Sequence, residues 1–185
     1  MYSEYPQNCC VHGSISGKNE IYEGTSPLSE VECRNLAQFI VSHNSTFKAY
    51  LTLHSHGQDY LYPWRYAVNA YPPDVNELIA AADKSAAVLE SKYGTACTVE
   101  PSAGLCTVFT LLNAKRFIIS NPASGDSDDY SKTVGVKYVY TIELRPEQYS
   151  DNGFILPERF IMPTTLETYP ALMVFADYVK NVPLN

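Results

Sequence analysis

The sequence predicts an α/β domain, a mixed or parallel sheet flanked by helices. Three observations carry this reading: two segments read plainly as strands, three as helices with identifiable ends, and the two kinds alternate along the chain. No repeat or low-complexity linker divides the 185 residues, a length that suits one domain with its own core.

The first predicted helix is "VECRNLAQFIVSH". Ser29 and Glu32 before and within it have capping-box spacing, and Leu36, Phe39 and Ile40 share a face. The first strand follows at Phe47 to Leu53, where β-favouring Tyr50 and Thr52 alternate loosely with apolar neighbours. Asp74 can cap the next helix, "VNELIAAADKSAAVLESKY". Its Val75, Leu78, Ala82, Ala86, Leu89 and Tyr93 form an apolar stripe, and Gly94 is a natural stop. The segment Gly104 to Asn121 fits its surroundings badly, being apolar, without turn signals and wedged between Pro/Ser/Gly stretches; it reads as a buried hairpin or a short helix. The second strand is Val136 to Leu144, "VKYVYTIEL". The last helix spans about Glu167 to Asn181, with Pro170 in its first turn, where proline is tolerated.

The net charge of −7 argues against nucleic acid or an anionic membrane as partner, and no apolar run reaches the ~18 residues of a membrane helix. Met1 to Gln7 is polar and acidic, unlike a signal peptide. The five cysteines, Cys9, Cys10, Cys33, Cys97 and Cys106, lack the C-x-x-C spacing of a structural zinc site. Asn44-Ser45-Thr46 is a glycosylation acceptor triplet if the chain is secreted.

Chemistry concentrates where the first strand ends, in "LTLHSHGQDYLYPW". Residues i and i+2 of a strand share a face, so His54 and His56 can point the same way. Ligands of open α/β sheets sit outside the carboxyl ends of strands, which makes the pair a metal or catalytic candidate; the alternative is a satisfied histidine in a loop. Glu143, near the end of the second strand and two residues before Arg145, reads from the residues alone as a salt-bridge partner or as a general base.

Six collinear stretches resemble the zinc carboxypeptidases of the pancreatic A/B type: "NEIYEGTSPLSEVE", "FKAYLTLHSHGQDYLYPW", "SKYGT", "PASGDSDDY", "GVKYVYTIELR" and "GFILPERFIMPT". The match runs from about Gly13 to Val182 and breaks across Gly104 to Asn121, so that residues 1–185 read as the C-terminal part of a carboxypeptidase domain, truncated at its N-terminal side, with an atypical insertion at about 104–121. The resemblance implies a secreted, zinc-dependent hydrolase that releases one amino acid from peptide or protein C-termini, on a mixed eight-stranded sheet flanked by helices. It makes His54 the zinc ligand, Glu143 the general base that takes a proton from water, and Ser55, His56 and Phe154 contacts in the substrate groove. Asp128 falls at the bottom of the pocket for the C-terminal side chain, where an aspartate suggests lysine or arginine. Arg65 falls where relatives carry a small residue lining that pocket and could pair with Asp128, cancelling the basic preference; the other alternative is that Asp128 is only a surface charge in a rearranged loop. Arg145-Pro146 falls at a cis peptide of the family.

Departures from the family pattern matter equally. Three residues beyond His12, His43, His54 and His56 stand Ile15, Thr46, Gly57 and Asp59, so the chain has no H-x-x-E, the family's first two zinc ligands. It also lacks the family's D-x-N-R-N carboxylate clamp, and Asn121 replaces a substrate-binding tyrosine. A catalytic zinc needs three protein ligands and an open position; His54 by itself is expected to leave this chain inactive. The alternative readings are a non-catalytic carboxypeptidase-like module that binds peptide or a protein partner, or an incomplete or mis-spliced gene product.

Overall fold

The structure, a computed structural model, describes residues 25–104, 108–112, 115–119, 122–147 and 153–183. Helices α1 (Val31–His43), α2 (Val75–Tyr93), α3 (Ser127–Thr133) and α4 (Ile161–Val179) flank a sheet of β1 (Ala49–Gly57), β2 (Asp59–Tyr62), β3 (Thr98–Pro101) and β6 (Tyr138–Glu147). The strands lie in the order β1-β6-β2-β3, and a separate hairpin pairs β4 (Val108–Leu112) with β5 (Lys115–Ile119). β1 runs parallel to β6, β6 antiparallel to β2, and β2 parallel to β3, so the sheet is mixed. The ill-fitting segment is thus a hairpin rather than a helix, and its strands join each other rather than the main sheet.

Alternation along β6 builds two cores. Tyr138, Tyr140 and Ile142 face α2 and α4 and pack with Tyr60, Leu78, Ala82, Leu89 and Phe175. On the other face Val139 joins Ile40 of α1 and Val136, with Tyr50 and Tyr130 against them. Three layers result, and each helix pair covers one face of the sheet.

Several helix details differ from expectation for identifiable reasons. The Ser29/Glu32 capping box does not form: Ser29 Oγ accepts from the Thr25 N–H at 3.1 Å and donates to Glu30 Oε1 at 2.9 Å. The buried face of α1 is Ala37 and Ile40, while Leu36 and Phe39 are exposed. Asp74 stands at the head of α2 without a capping bond, because its carboxylate takes Lys132 Nζ at 2.8 Å and Lys137 Nζ at 3.3 Å. Gly94 does stop α2, at φ +69° with its N–H on the Glu90 carbonyl, whereas Tyr93 is exposed. The last helix begins at Ile161, which places Pro170 mid-helix rather than in the first turn. Asn44 Nδ2 donates to the Val134 carbonyl at 3.0 Å, so the acceptor nitrogen of the glycosylation triplet is engaged within the chain.

One polar bond ties the larger core together. Ser85, fully buried, lies 2.9 Å from both Tyr60 Oη and the Ala171 carbonyl. A carbonyl only accepts, so Ser85 donates its one hydroxyl proton to Ala171 and accepts a hydrogen bond from the Tyr60 O–H. Ser85→Ala leaves two buried groups short of a partner and is expected to cost about 1–3 kcal/mol, read as a fall in the urea midpoint with an unchanged slope; an unchanged midpoint would mean the bridge contributes nothing.

Candidate active site

The parallel pairing of β1 with β6 puts His54 directly opposite Glu143, and the antiparallel pairing of β2 puts Asp59 on Glu143's other side. Residues in register on neighbouring strands project to one face, so a row of three titratable side chains crosses the carboxyl ends of β1 and β6. β1 runs through both histidines instead of stopping before them. His54 is exposed, its Nε2 3.0 Å from Thr52 Oγ1.

Glu143 is only 8% exposed, and its Oε2 has no hydrogen-bond partner among the described residues. Burial, reinforced by the negative charge of Asp59 and opposed by Arg65, pushes its carboxyl up to about 7. Asp59 is raised too, chiefly by burial. Glu143 is not the partner of Arg145: that guanidinium binds Glu167 of α4 through Nε and, at 2.6 Å, through Nη2. The salt-bridge alternative for Glu143 therefore falls.

Gly57 is the reason the row fits. A Cβ on it would collide with Asp59 Oδ2 and meet Glu143 Cβ at 3.2 Å. Gly57→Ala is expected to push both carboxyl groups out of place and to cost about 1–3 kcal/mol. Thermal unfolding checks the cost, and a titration of Glu143 unaltered in the variant would show that the glycine does not shape the site.

The other sequence candidates gather in two further places. His56 meets Phe154 edge to face, ring centroids 5.0 Å apart, and Phe154 is 79% exposed. Ser55, between the histidines, is exposed. The Arg145–Pro146 bond is cis, as the resemblance implies, and so are Ser55–His56 and Pro63–Trp64. Asp128 lies on α3 and is 1% exposed; its Oδ2 accepts from Ser102 Oγ at 2.9 Å and its Oδ1 from the Asp129 N–H at 2.9 Å. It is no surface charge. Arg65 pairs with Asp126, Nε to Oδ2 at 3.3 Å, rather than with Asp128. Asp129 accepts the backbone N–H groups of Arg65 and Tyr66. Burial and the neighbouring Asp128 push Asp129's carboxyl up, and burial raises Asp126 to about 6. Asn121 lies outside the described residues.

Gly57, Asp59, Asp126 and Asp129 escaped the sequence reading. Asp59 shows no local signal, because only strand pairing brings it beside Glu143. Asp126 and Asp129 stand in the run "SGDSDDY", where the clustering of three acids is the one local signal that could have found them.

A family model described as zinc carboxypeptidase matches residues 3–171. Carboxypeptidase B of Rattus norvegicus is 40% identical over 173 residues, 94% of this chain and 38% of that protein. Carboxypeptidase B of Astacus astacus is 37% identical over 172 residues, 92% of this chain and 51% of that protein. Among solved structures, bovine thrombin-activatable fibrinolysis inhibitor bound to tick carboxypeptidase inhibitor superimposes with a TM-score of 0.79 at 28% identity, covering 98% of this chain and 61% of that one. Carboxypeptidase A from Helicoverpa armigera gives 0.72 at 22% identity, over 93% and 40%, a likeness of fold. The chain spans about half or less of the curated relatives it matches.

Proposed function

From the premise that this chain belongs to the zinc carboxypeptidase family, we propose that it carries the general base and one wall of the substrate groove of a metallocarboxypeptidase acting on peptide and protein C-termini. The observation that carries the reading is Glu143, a buried carboxyl raised to about 7 and set in register with His54. Hydrolysis needs a group that removes a proton from the attacking water and then delivers one to the leaving amine. A carboxyl that titrates near the working pH does both. Burial, with Asp59 adding to it, holds Glu143 near that point, and Arg65 pulls the other way.

In this reading His54 is the zinc ligand, Ser55, His56 and Phe154 line the groove, and Asp128 closes the pocket for the C-terminal side chain. A zinc ion needs about three protein ligands, and no group of three His, Cys, Asp or Glu able to hold a metal occurs among the described residues. Those residues do not by themselves fit the ion. The segment 104–121 is, in the same reading, an insertion into the carboxypeptidase pattern. The protein acts outside the cell; no helix among the described residues is long and apolar enough to cross a membrane.

The test is titration of the chain with hippuryl-arginine and hippuryl-phenylalanine, and release of free amino acid from both once a segment carrying H-x-x-E and D-x-N-R-N is supplied together with zinc, beside Glu143→Gln. Release that falls by about 10²–10⁴ in the variant supports the assignment. Saturable binding of C-terminal ligands without release would replace it with a non-catalytic carboxypeptidase-like module, and absence of both would overturn it.

A further inference from the structure

Arg65 stands between two sets of acids. Its Nε lies 3.3 Å from Asp126 Oδ2, and its positive charge pulls the carboxyl of Glu143 down against burial. Its backbone is fixed separately: the N–H donates to Asp129 Oδ1 and Oδ2 at 3.0 and 3.1 Å, and the carbonyl accepts from the Ala123 N–H at 3.0 Å. The main chain is therefore clamped while, among the described residues, the guanidinium makes one ion pair.

That contact is poor. It has ion-pair distance without hydrogen-bond geometry, and both Arg65 Nε and Asp126 Oδ2 are buried atoms lacking a hydrogen-bond partner among the described residues. Burial outweighs Arg65 in setting Asp126, which stays above the ordinary carboxylate range. Asp128 and Asp129 are taken up by Ser102 and by backbone N–H groups. The Arg65 side chain keeps 22% of its surface open. A planar guanidinium so placed matches one ligand chemistry best, a carboxylate whose two oxygens meet its fork. A cationic ligand would instead meet like charge at close range.

We propose that Arg65 binds a carboxylate of the peptide's C-terminal residue beside Glu143, with Asp126 orienting the guanidinium. The assignment rests on the carboxypeptidase reading of this site. Two carboxylates have the required chemistry: the terminal one that every substrate carries, and the side chain of a C-terminal aspartate or glutamate. Binding either replaces an ill-aligned contact by paired charge-assisted hydrogen bonds.

Trp64, the only tryptophan, adjoins Arg65 and is buried, so its fluorescence reports on this wall. The full chain is titrated with N-acetyl-leucine (terminal carboxylate only), N-acetyl-glutamate α-amide (side-chain carboxylate only) and N-acetyl-leucinamide (none), and so are Arg65→Gln and Arg65→Lys. We expect a carboxylate ligand to bind at least tenfold more tightly than N-acetyl-leucinamide. Arg65→Gln should abolish that difference and Arg65→Lys restore part of it. Preference for N-acetyl-leucine identifies the terminal carboxylate as the group held, and preference for the glutamate amide identifies an acidic side chain. If Arg65→Gln, with its far-ultraviolet circular dichroism unchanged, still binds N-acetyl-leucine as the parent does, the Arg65 assignment fails while the carboxypeptidase reading stands. If no C-terminal ligand binds the parent chain, both fail.

Discussion

Replacing Glu143 by glutamine is expected to stabilise the chain at pH 8 while removing the proton acceptor of the proposed reaction. The sign follows from the direction of the shift. Glu143 titrates at about 7 in the folded chain and ordinarily at 4.5. Below pH 4.5 both folded and unfolded forms hold the proton, and the group has no effect on stability. Between 4.5 and 7 the unfolded form loses its proton first, so stability falls as pH rises, by about 1.4 kcal/mol per unit. Above 7 the cost levels off at about 3 kcal/mol.

Glutamine has no charge to desolvate and escapes that loss. The melting temperatures of parent and Glu143→Gln should therefore agree within a degree or two near pH 4 and diverge by several degrees at pH 8, the variant being higher. A difference that does not change with pH would show that Glu143 is not held neutral by its surroundings. The groups facing it, Asp59 from β2 and Arg65 from the loop beyond, act in opposite directions. Asp59→Asn should accordingly make the divergence level off at a lower pH and at a smaller value. Loss of hydrolysis by Glu143→Gln in the presence of zinc and a segment supplying H-x-x-E and D-x-N-R-N would tie the stability cost to function, since sites that carry out proton transfer often sit at strained electrostatic positions.

The second large effect is expected at Glu167. Arg145 grips both oxygens of this nearly buried carboxylate, Nη2 also donates to Thr95 Oγ1 at 2.6 Å, and Thr95 in turn donates to Glu167 Oε2 at 2.8 Å. The three side chains join the end of β6, the segment after α2, and α4. Glu167→Ala strips a guanidinium and a hydroxyl of their partner at once, which costs about 3–5 kcal/mol when the remaining charge is buried. Arg145 is 27% exposed, so water recovers part of this and the lower end is expected. Thr95→Ala removes only the bridging hydroxyl and should cost about 1 kcal/mol. Chemical denaturation of both variants distinguishes a network from isolated pairs: summed losses equal to that of the double variant would mean that the residues act independently.

Arg145 also shows how far the sequence could be read. Its position two residues after Glu143 suggested a pair, since alternate residues on a strand share a face, yet Glu167, far along the chain, takes the guanidinium instead. Likewise Asp74 had the right place to cap α2 but met two lysines of α3 and the loop after it, and its carboxylate went to the ammonium groups rather than to the backbone N–H groups of the first turn. The short strands β2 and β3 went unread because four residues contain too little alternation to stand out from a loop.

The sequence alone determined the α/β class, the two long strands, the two-turn-and-longer helices α1, α2 and α4, the likeness to zinc carboxypeptidases, and His54, Glu143 and Asp128 as candidates. These depend on periodicity and on local residue order, both of which are written along the chain. Tertiary structure decided what surrounds them: that Asp59 flanks Glu143, that Gly57 leaves room for both, that Arg65 turns to Asp126 rather than Asp128, and that burial rather than composition sets the carboxyl of Glu143 near neutrality. Desolvation and Coulomb energy depend on distances through space, and strand pairing sets those distances between residues that lie far apart in order.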